Sequence, residues 1–165
     1  MSHQVIFDFN EQASLQNWKT LDDEVMGGRS QGDISLSPEG YGRFSGTISL
    51  ENNGGFSSVR YTPADLSVDP HDRIKIRLKG DGKRYQFRVK HDLQAYASYI
   101  TYFETSGEWQ EVTIELSDLY PTFRGKNLDK PNFNHDAIQQ LGFLIGNKKA
   151  EDFELLIDRI ALVGD

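Results

Sequence analysis

The sequence predicts an all-β fold, a β-sandwich or jelly roll of about ten strands with minimal helix. Short segments in which apolar and polar residues alternate recur along its 165 residues. Gly, Pro, Asn and Asp separate these segments at short intervals, as turns require. Strands that follow one another so closely are typical of antiparallel sandwiches rather than of alternating strand and helix units.

The clearest alternation covers residues 73–91. Apolar residues alternate with basic or polar ones in both halves, and a Gly-Asp-Gly turn signal at 80–82 lies between them. The pattern predicts a β-hairpin with one buried face. Its outer face carries a basic stripe made of Arg73, Lys75, Arg77, Lys79, Arg84, Arg88 and Lys90. We interpret the stripe as a solvated face that discourages edge pairing, and docking of an acidic protein or a phosphorylated ligand is the alternative.

Further short segments of this kind complete the predicted sheets. They cover residues 4–9, 32–37, 42–50, 55–62, 97–104, 109–116, 141–146 and 153–163. The longest irregular stretch, 117–140, is predicted to be a single long loop that packs as a cover through Tyr120, Phe123 and Phe133. We expect one short helical turn in it, near the HDAIQ segment at 135–139.

The amino-acid composition excludes several kinds of protein and of site. The formal net charge is −7, so the overall field does not attract phosphate backbones or anionic membranes. The chain has no cysteine, which excludes disulfides, thiolate zinc sites and cysteine nucleophiles. No basic leader and no long apolar run is found. We therefore expect a single domain over residues 1–165, cytoplasmic, neither embedded in a membrane nor bound to nucleic acid.

The segment DDEVMGGRS at 22–30 is the first candidate site. Asp22 and Asp23 can accept backbone hydrogen bonds, while Gly27 and Gly28 allow the chain to reverse. One interpretation is a structural corner, and another is a binding loop that presents Met26 as a flexible contact. Catalysis by a carboxylate pair is a third, but adjacent residues of an extended strand point to opposite faces, which argues against that pair.

The segment ENNGGFSSVR at 51–60 is the second candidate site. Its Asn-Gly-Gly run signals a turn before the next strand. The residues predicted to bind a partner or ligand in the two segments are Asp22, Asp23, Met26, Gly27, Gly28, Asn53, Gly54, Gly55 and Arg60. No motif of catalysis or of cofactor binding occurs, so we predict no enzyme, no catalytic residue and no cofactor.

Aromatic and acidic residues inside strands leave two further alternatives open. In YASYITYF, at 96–103, alternation places Tyr102 with Ile100 on one face and Tyr99 on the other, so one set is core and the other could stack on sugar rings. Asp8 and Asp158 lie within apolar strands, where a carboxylate must be bonded or bind metal. A calcium site is the less favoured of these two outcomes, and no metal site is predicted.

Several segments, in chain order, resemble the complex I intermediate-associated protein 30 family. They are WKTLDDEVMGGRS (18–30), GRFSGTISLENNGGFSSVR (42–60), KGDGKRYQFRV (79–89), PTFRG (121–125) and IDRIAL (157–162). The resemblance implies a galactose-binding-like β-sandwich in which the segments 22–30 and 51–60 lie near each other. Mitochondrial relatives are assembly factors for NADH:ubiquinone oxidoreductase.

The resemblance and the absence of catalytic motifs together favour a non-catalytic binding domain. The first hypothesis is an assembly factor or chaperone-like protein that engages a protein client, such as a respiratory complex subunit, through 22–30 and 51–60. The alternative is a carbohydrate or small-molecule binding module.

Overall fold

Two antiparallel sheets form a sandwich in a computed structural model that describes residues 3–22, 28–51, 55–64 and 66–164. The strands are β1 His3–Asp8, β2 Trp18–Asp22, β3 Gln31–Leu36, β4 Gly42–Ile48, β5 Ser57–Tyr61, β6 Leu66–Ser67, β7 Arg73–Lys79, β8 Arg84–Lys90, β9 Ser98–Glu104, β10 Trp109–Glu115, β11 Tyr120–Phe123, β12 Lys126–Asn127, β13 Ala137–Ile138, β14 Gln140–Ile145 and β15 Glu151–Val163. The all-β sandwich predicted from the sequence is confirmed.

The six-stranded sheet has the order β10-β7-β15-β4-β3, with β1 beside the second half of β15. The seven-stranded sheet has the order β12-β11-β9-β8-β14-β5-β2, and β6 and β13 form a separate pair. The core lies between the two large sheets, because each strand turns its apolar alternate residues inward. Its largest fully buried side chains include Tyr85, Phe44, Phe87, Phe133 and Phe143.

The predicted hairpin over 73–91 is wrong. Strand β7 pairs with β10 and β15 in one sheet, whereas β8 pairs with β9 and β14 in the other. The connection between them crosses from sheet to sheet, and Asp81 fixes it by accepting hydrogen bonds from the Tyr85 hydroxyl at 3.0 Å and the Glu154 amide at 2.8 Å. Alternation shows only that each strand buries one face, so it does not distinguish paired strands from strands that face each other across a core.

The basic stripe therefore divides between the two opposite outer faces of the sandwich. On β7, basic side chains meet acids of neighbouring strands: Lys75 lies 3.6 Å from Glu111, and Arg77 lies 3.0 Å from Asp158. On β8, Arg88 and Lys90 have no such acid among the residues that the structure describes. The two halves of the predicted stripe thus have different electrostatic surroundings.

The 117–140 stretch is more regular than the sequence predicts. It contains β11, β12 and β13, and the helical turn expected at 135–139 is wrong, because Ala137 and Ile138 pair with β6. Burial of Ile138 at the end of the core favours this extended pairing. A short 3-10 helix lies instead at Leu116–Asp118. Phe133 packs into the core as expected of a cover, whereas Phe123 is exposed.

Candidate functional site

The outer face of the seven-stranded sheet is built from rows of residues that lie opposite one another on neighbouring strands. Directly paired residues point to the same face of a sheet, so the register defines the rows. The central row is Lys19, Arg60, Gly142, Arg88, Ile100 and Tyr120. The row on one side is Leu21, Ser58, Leu144, Gln86 and Tyr102. On the other side the register gives the pairs Gln140 with Lys90 and Thr122 with Ser98.

Polar residues on this outer face are buried although they point away from the core. Ser58 is 0% exposed, Gln86 and Ser98 are each 6% exposed, and Thr122 is 5% exposed. A flat, solvated sheet face leaves its polar side chains in water. Ser58 lies between Leu21 and Leu144 of the neighbouring strands, whereas Gln86 lies beside Tyr102 and bonds to Arg88. The four residues therefore form a buried polar floor on the same face as a rim of basic and aromatic side chains, which includes Arg60, Arg88, Lys90 and Tyr102.

Hydrogen bonds hold part of the rim in place. The Arg88 Nη1 donates to Gln86 Oε1 at 2.6 Å, and the Gln86 amide donates to the Tyr102 hydroxyl at 3.2 Å. The Arg84 guanidinium lies over the Tyr102 ring, 3.7 Å from its centroid. Tyr102 is nevertheless 39% exposed. Its ring is thus oriented by neighbours while one side stays open to a ligand, which is the arrangement of a preorganised contact.

A small pocket lies between the basic side chains of the central row. Its polar lining consists of Arg60, Arg88, Lys90, Ser98 and Gln140, with Gly142 between the two arginines. We call this group the cationic pocket. Gly142 pairs with Arg60 on one side and with Arg88 on the other, so both guanidinium groups belong to residues that flank the glycine.

Burial and mutual repulsion both disfavour the charged forms of the basic side chains in the pocket. Burial lowers the pKa of Arg60. Burial, followed by the charge of Arg60, lowers the pKa of Arg88 to about 10, and burial followed by both arginines lowers the pKa of Lys90. The Arg60 Nε is buried without a hydrogen-bond partner. Arg88 therefore remains charged at neutral pH, and the pocket gathers basic side chains in a chain that is acidic overall.

Among the site residues predicted from the sequence, Asp22 is buried and hydrogen-bonded within the fold. Its carboxylate points to the inner side of the sheet, where it accepts hydrogen bonds from the Ser57 hydroxyl and, at 3.0 Å, from the Gly32 amide. These bonds link β2 to β5 and to β3 of the other sheet. For this residue the contacts favour the structural corner over the binding loop. Asp23, Met26, Gly27, Asn53 and Gly54 lie outside the described residues.

The two predicted segments approach each other where the structure describes them. Arg29 lies 3.7 Å from Glu51, and the Ser49 amide donates to the Ser30 hydroxyl at 2.9 Å. Gly28 is buried, and Gly55 has the positive φ of 140° that favours glycine. Arg60 takes no part in these contacts. Its side chain lies on the outer face of the seven-stranded sheet, opposite to the face on which Asp22 lies.

The sequence prediction placed Arg88 and Lys90 in the basic stripe, with docking of an acidic protein or a phosphorylated ligand as the less favoured alternative, and it did not select Gln86. Their alternation with Tyr85, Phe87 and Val89 was visible and places them outward. What could not be read from it is that β8 occupies the middle of a sheet whose outer face is poor in acids. Glu104 is the acid that the described strands carry on this face, and it pairs with Arg84 at 3.9 Å.

The remaining alternatives from the sequence also have definite positions. Tyr99 and Tyr102 lie on opposite faces, as alternation predicted, and Tyr99 is the one in the core. Tyr96 is 51% exposed beside Phe123, at 5.4 Å between ring centroids. Asp158 bonds to Arg77, and Asp8 is exposed rather than buried. Across the described ranges, no three His, Cys, Asp or Glu side chains gather as metal ligands. The same ranges contain no helix of the length and apolar character needed to span a membrane.

Comparison with known proteins identifies relatives in sequence and, separately, solved structures of similar fold. The profile of the family described as Complex I intermediate-associated protein 30 matches residues 7–157. Proteins named "Complex I intermediate-associated protein 30, mitochondrial" are similar in sequence: the one from Neurospora crassa is 25% identical over 78% of this chain, and the one from Mus musculus is 26% identical over 98%. The alignments cover 53% and 56% of those proteins, so the chain spans about half the length of the curated relatives it matches.

Solved structures of carbohydrate-binding modules share the fold. A family 11 module from Clostridium thermocellum, in complex with a β-1,3-1,4-mixed-linked tetrasaccharide, superposes with a TM-score of 0.69 at 18% identity, covering 98% of this chain and 95% of the module. A family 29 module superposes with a TM-score of 0.60 at 10% identity, covering 98% and 91%. An agarase matches with a TM-score of 0.67 at 14% identity, covering all of this chain but 25% of the enzyme. These likenesses establish the sandwich architecture.

Proposed function

Because this chain belongs to the complex I intermediate-associated protein 30 family, we propose that it is a non-catalytic binding domain that engages a protein client. The binding surface in this proposal is the outer face of the seven-stranded sheet. The observation that carries it is the buried polar floor on the same face as a rim of arginine, lysine and tyrosine. Arginine and tyrosine are enriched where proteins bind one another, because each combines a large contact area with specific hydrogen bonds.

The organisation of the rim supports a recognition surface over a merely solvated face. Tyr102 is held by Gln86 and Arg84, so little side-chain entropy remains to be lost when a partner packs on it. The hydroxyl groups of Ser58 and Thr122 and the amide of Gln86 are already bonded within the sheet, so they hold the face in one arrangement. The outer face of the six-stranded sheet has fewer basic side chains available to a partner, since its Lys75 and Arg77 are already paired with acids.

The proposed client is a component of a multi-subunit complex during its assembly. The names of the relatives from Neurospora crassa and Mus musculus, with their reference to complex I intermediates, support this role. The segments 22–30 and 51–60 belong to the proposal as a second contact, because Arg29 and Glu51 bring their described parts together. The sequence predicts a cytoplasmic location and both relatives are named mitochondrial, so fractionation of the host cell belongs to the same test.

A capture experiment with matched variants tests the proposal. Tyr102→Ala removes an exposed ring beneath an arginine, and Trp109→Ala removes the corresponding ring on the opposite face, where Arg77 lies 4.3 Å from the Trp109 centroid. Wild type, both variants and a bead control are incubated with native lysate and the bound proteins are quantified. We expect a client retained by wild type and by Trp109→Ala but lost by Tyr102→Ala at equal melting temperature. Equal retention by both variants would contradict the proposed surface.

Carbohydrate binding is a second candidate, favoured by the exposed rings of Tyr96, Tyr102 and Phe123, which could stack on sugars. Its test is thermal denaturation with and without a mixed-linked β-glucan tetrasaccharide. A melting temperature that rises with sugar concentration, and that no longer rises in Tyr102→Ala, would support it. An unchanged melting temperature at millimolar sugar would favour the protein client.

A further inference from the structure

We infer that Arg60, Arg88 and Lys90 form an anion site that accepts a carboxylate from an acidic segment of the client. This inference rests on the proposed function and adds the chemistry by which the outer face would recognise its partner. The first reason is the distribution of charge. In a chain with a net charge of −7, three basic side chains of one small pocket have no ion pair with any acid of the described residues.

Several cations of the opposite face, in contrast, are paired with acids. On the opposite face, Arg43 lies 2.8 Å from Glu154 and Lys75 lies 3.6 Å from Glu111. Those two cations are therefore neutralised by acids of neighbouring strands. In the cationic pocket the charges that act on Lys90 are those of Arg60 and Arg88, which repel it. An incoming anion would relieve both this repulsion and the cost of burying the cations.

Donor geometry points to a small planar anion. Arg60 and Arg88 lie on strands separated by β14, roughly 10 Å apart across two strand spacings. The residue between them is Gly142, which places no side chain in the gap. The Arg60 Nε has no acceptor, and a guanidinium fork binds a carboxylate through two parallel hydrogen bonds. The two arginines thus border a small pocket in which the Arg60 Nε has unused hydrogen-bonding capacity.

The size of the pocket distinguishes carboxylate from other ligands. It has room for roughly one water-sized group, which fits an end of a carboxylate but not a sugar ring. A neutral sugar would also leave the cations unpaired. The Lys90 ammonium already donates to the Ala95 carbonyl at 2.9 Å, so it contributes mainly charge and leaves the two arginines as the directional donors. An acidic client would otherwise be repelled by this acidic protein, so the pocket gives the encounter its orientation.

The test uses a fluorescein-labelled hexaglutamate peptide and measures its binding by fluorescence anisotropy at low ionic strength. Hexaglutamine with the same label is the neutral control. We expect the hexaglutamate to bind, and Arg60→Gln or Arg88→Gln to weaken its binding roughly 10- to 100-fold. Arg43→Gln, which removes the same charge from the opposite face, should change the affinity less than about twofold because that site is distant.

Competition identifies the anion. Glutarate should displace the peptide at lower concentration than inorganic phosphate or a galacturonic acid oligosaccharide. Stronger displacement by phosphate or by the acidic sugar would overturn the assignment of a carboxylate from a protein. Equal weakening by Arg43→Gln and Arg88→Gln would show that overall charge, not the pocket, binds the peptide, and would overturn the site itself.

Two further measurements separate this inference from the proposed function. The melting temperature of Arg60→Gln and Arg88→Gln should equal or exceed that of wild type, because each removes a half-buried cation that repels the other, so loss of binding is not loss of fold. In the capture experiment the client should be lost by Arg88→Gln. A client that Arg88→Gln retains while Tyr102→Ala loses it would refute the carboxylate contact and leave the protein client standing. If hexaglutamate binds through the pocket but no client is captured, the proposed protein client is refuted and the anion site is not.

Discussion

Replacement of Asp22 by alanine is predicted to destabilise the fold rather than to remove a binding contact. The Asp22 carboxylate accepts hydrogen bonds from the Ser57 hydroxyl and the Gly32 amide, and it is only 9% exposed. Alanine removes both acceptors and leaves two donors without partners where the two sheets meet. Water has little access to satisfy them, so most of their desolvation cost remains.

The magnitude follows from these two bonds. Hydrogen bonds to charged groups contribute about 1.5–3 kcal/mol each, and residual water access at the sheet edge reduces their sum, so we expect a loss of about 2–4 kcal/mol in the free energy of unfolding. For a domain of this length, each kcal/mol corresponds to roughly 2–4 °C of melting temperature. The melting temperature of Asp22→Ala should therefore fall by roughly 5–15 °C.

The assay is urea denaturation of wild type, Asp22→Ala, Ser57→Ala and the double variant, followed by tryptophan fluorescence. The double-mutant cycle should give a coupling of about 1 kcal/mol or more between Asp22 and Ser57, because the two side chains share a hydrogen bond. Asp33→Ala, an exposed acid on β3, is the control and should cost less than about 0.5 kcal/mol. If Asp22→Ala is as stable as the control, the structural role assigned to this carboxylate is incorrect.

Three further perturbations test other parts of the structure. Gly46→Ala should cost about 3 kcal/mol or more, because its Cβ would lie 1.9 Å from the Gln31 carbonyl oxygen, whereas Ser45→Ala beside it should be mild in the same urea assay. Phe143→Ala should cost about 3–5 kcal/mol, since the ring is fully buried against Phe87, and a cost no larger than that of Leu144→Ala on the outer face would contradict the core assignment. Burial, followed by the charge of His91, lowers the pKa of His135, so its neutral form is favoured in the folded state. This stabilisation is complete above about pH 6.5 and decreases as pH falls through the folded pKa, so the loss of melting temperature between about pH 7.5 and pH 5 should be smaller in His135→Gln than in wild type.

Features of the fold that depend on residues within one strand could be predicted from the sequence, whereas features that depend on pairing between distant strands could not. Alternation located β7, β8 and β9, and for β7 and β8 also the face that each buries, because a half-buried strand records its two faces in its own residues. It failed at the connection from β7 to β8, since pairing partners are decided by distant strands. Strand β2 was missed for a related reason: its exposed middle residues on a sheet edge leave no clear alternation.

The candidate site shows the same division. Arg60 was selected from its segment, but the residues that complete the cationic pocket come from β8 and β14, far along the chain. Whether Arg88 forms an ion pair depends on which acids the neighbouring strands carry. Only the order of the strands in the sheet shows which strands are its neighbours. Asp22 and Arg60 seemed to belong together because their segments do, yet the pleat turns their side chains to opposite sides of one sheet.

Strand β15 occupies the middle of the six-stranded sheet, with β7 along one edge and β4 and β1 along the other. In sequence it follows all the other described strands. During synthesis, β1, β4 and β7 emerge from the ribosome long before the strand that joins them, and their apolar faces have no sheet to complete until residue 163 is available. The sandwich must therefore close late and through pairings distant in sequence, a type of folding that is slow and exposed to aggregation, so the nascent chain itself is expected to need a chaperone.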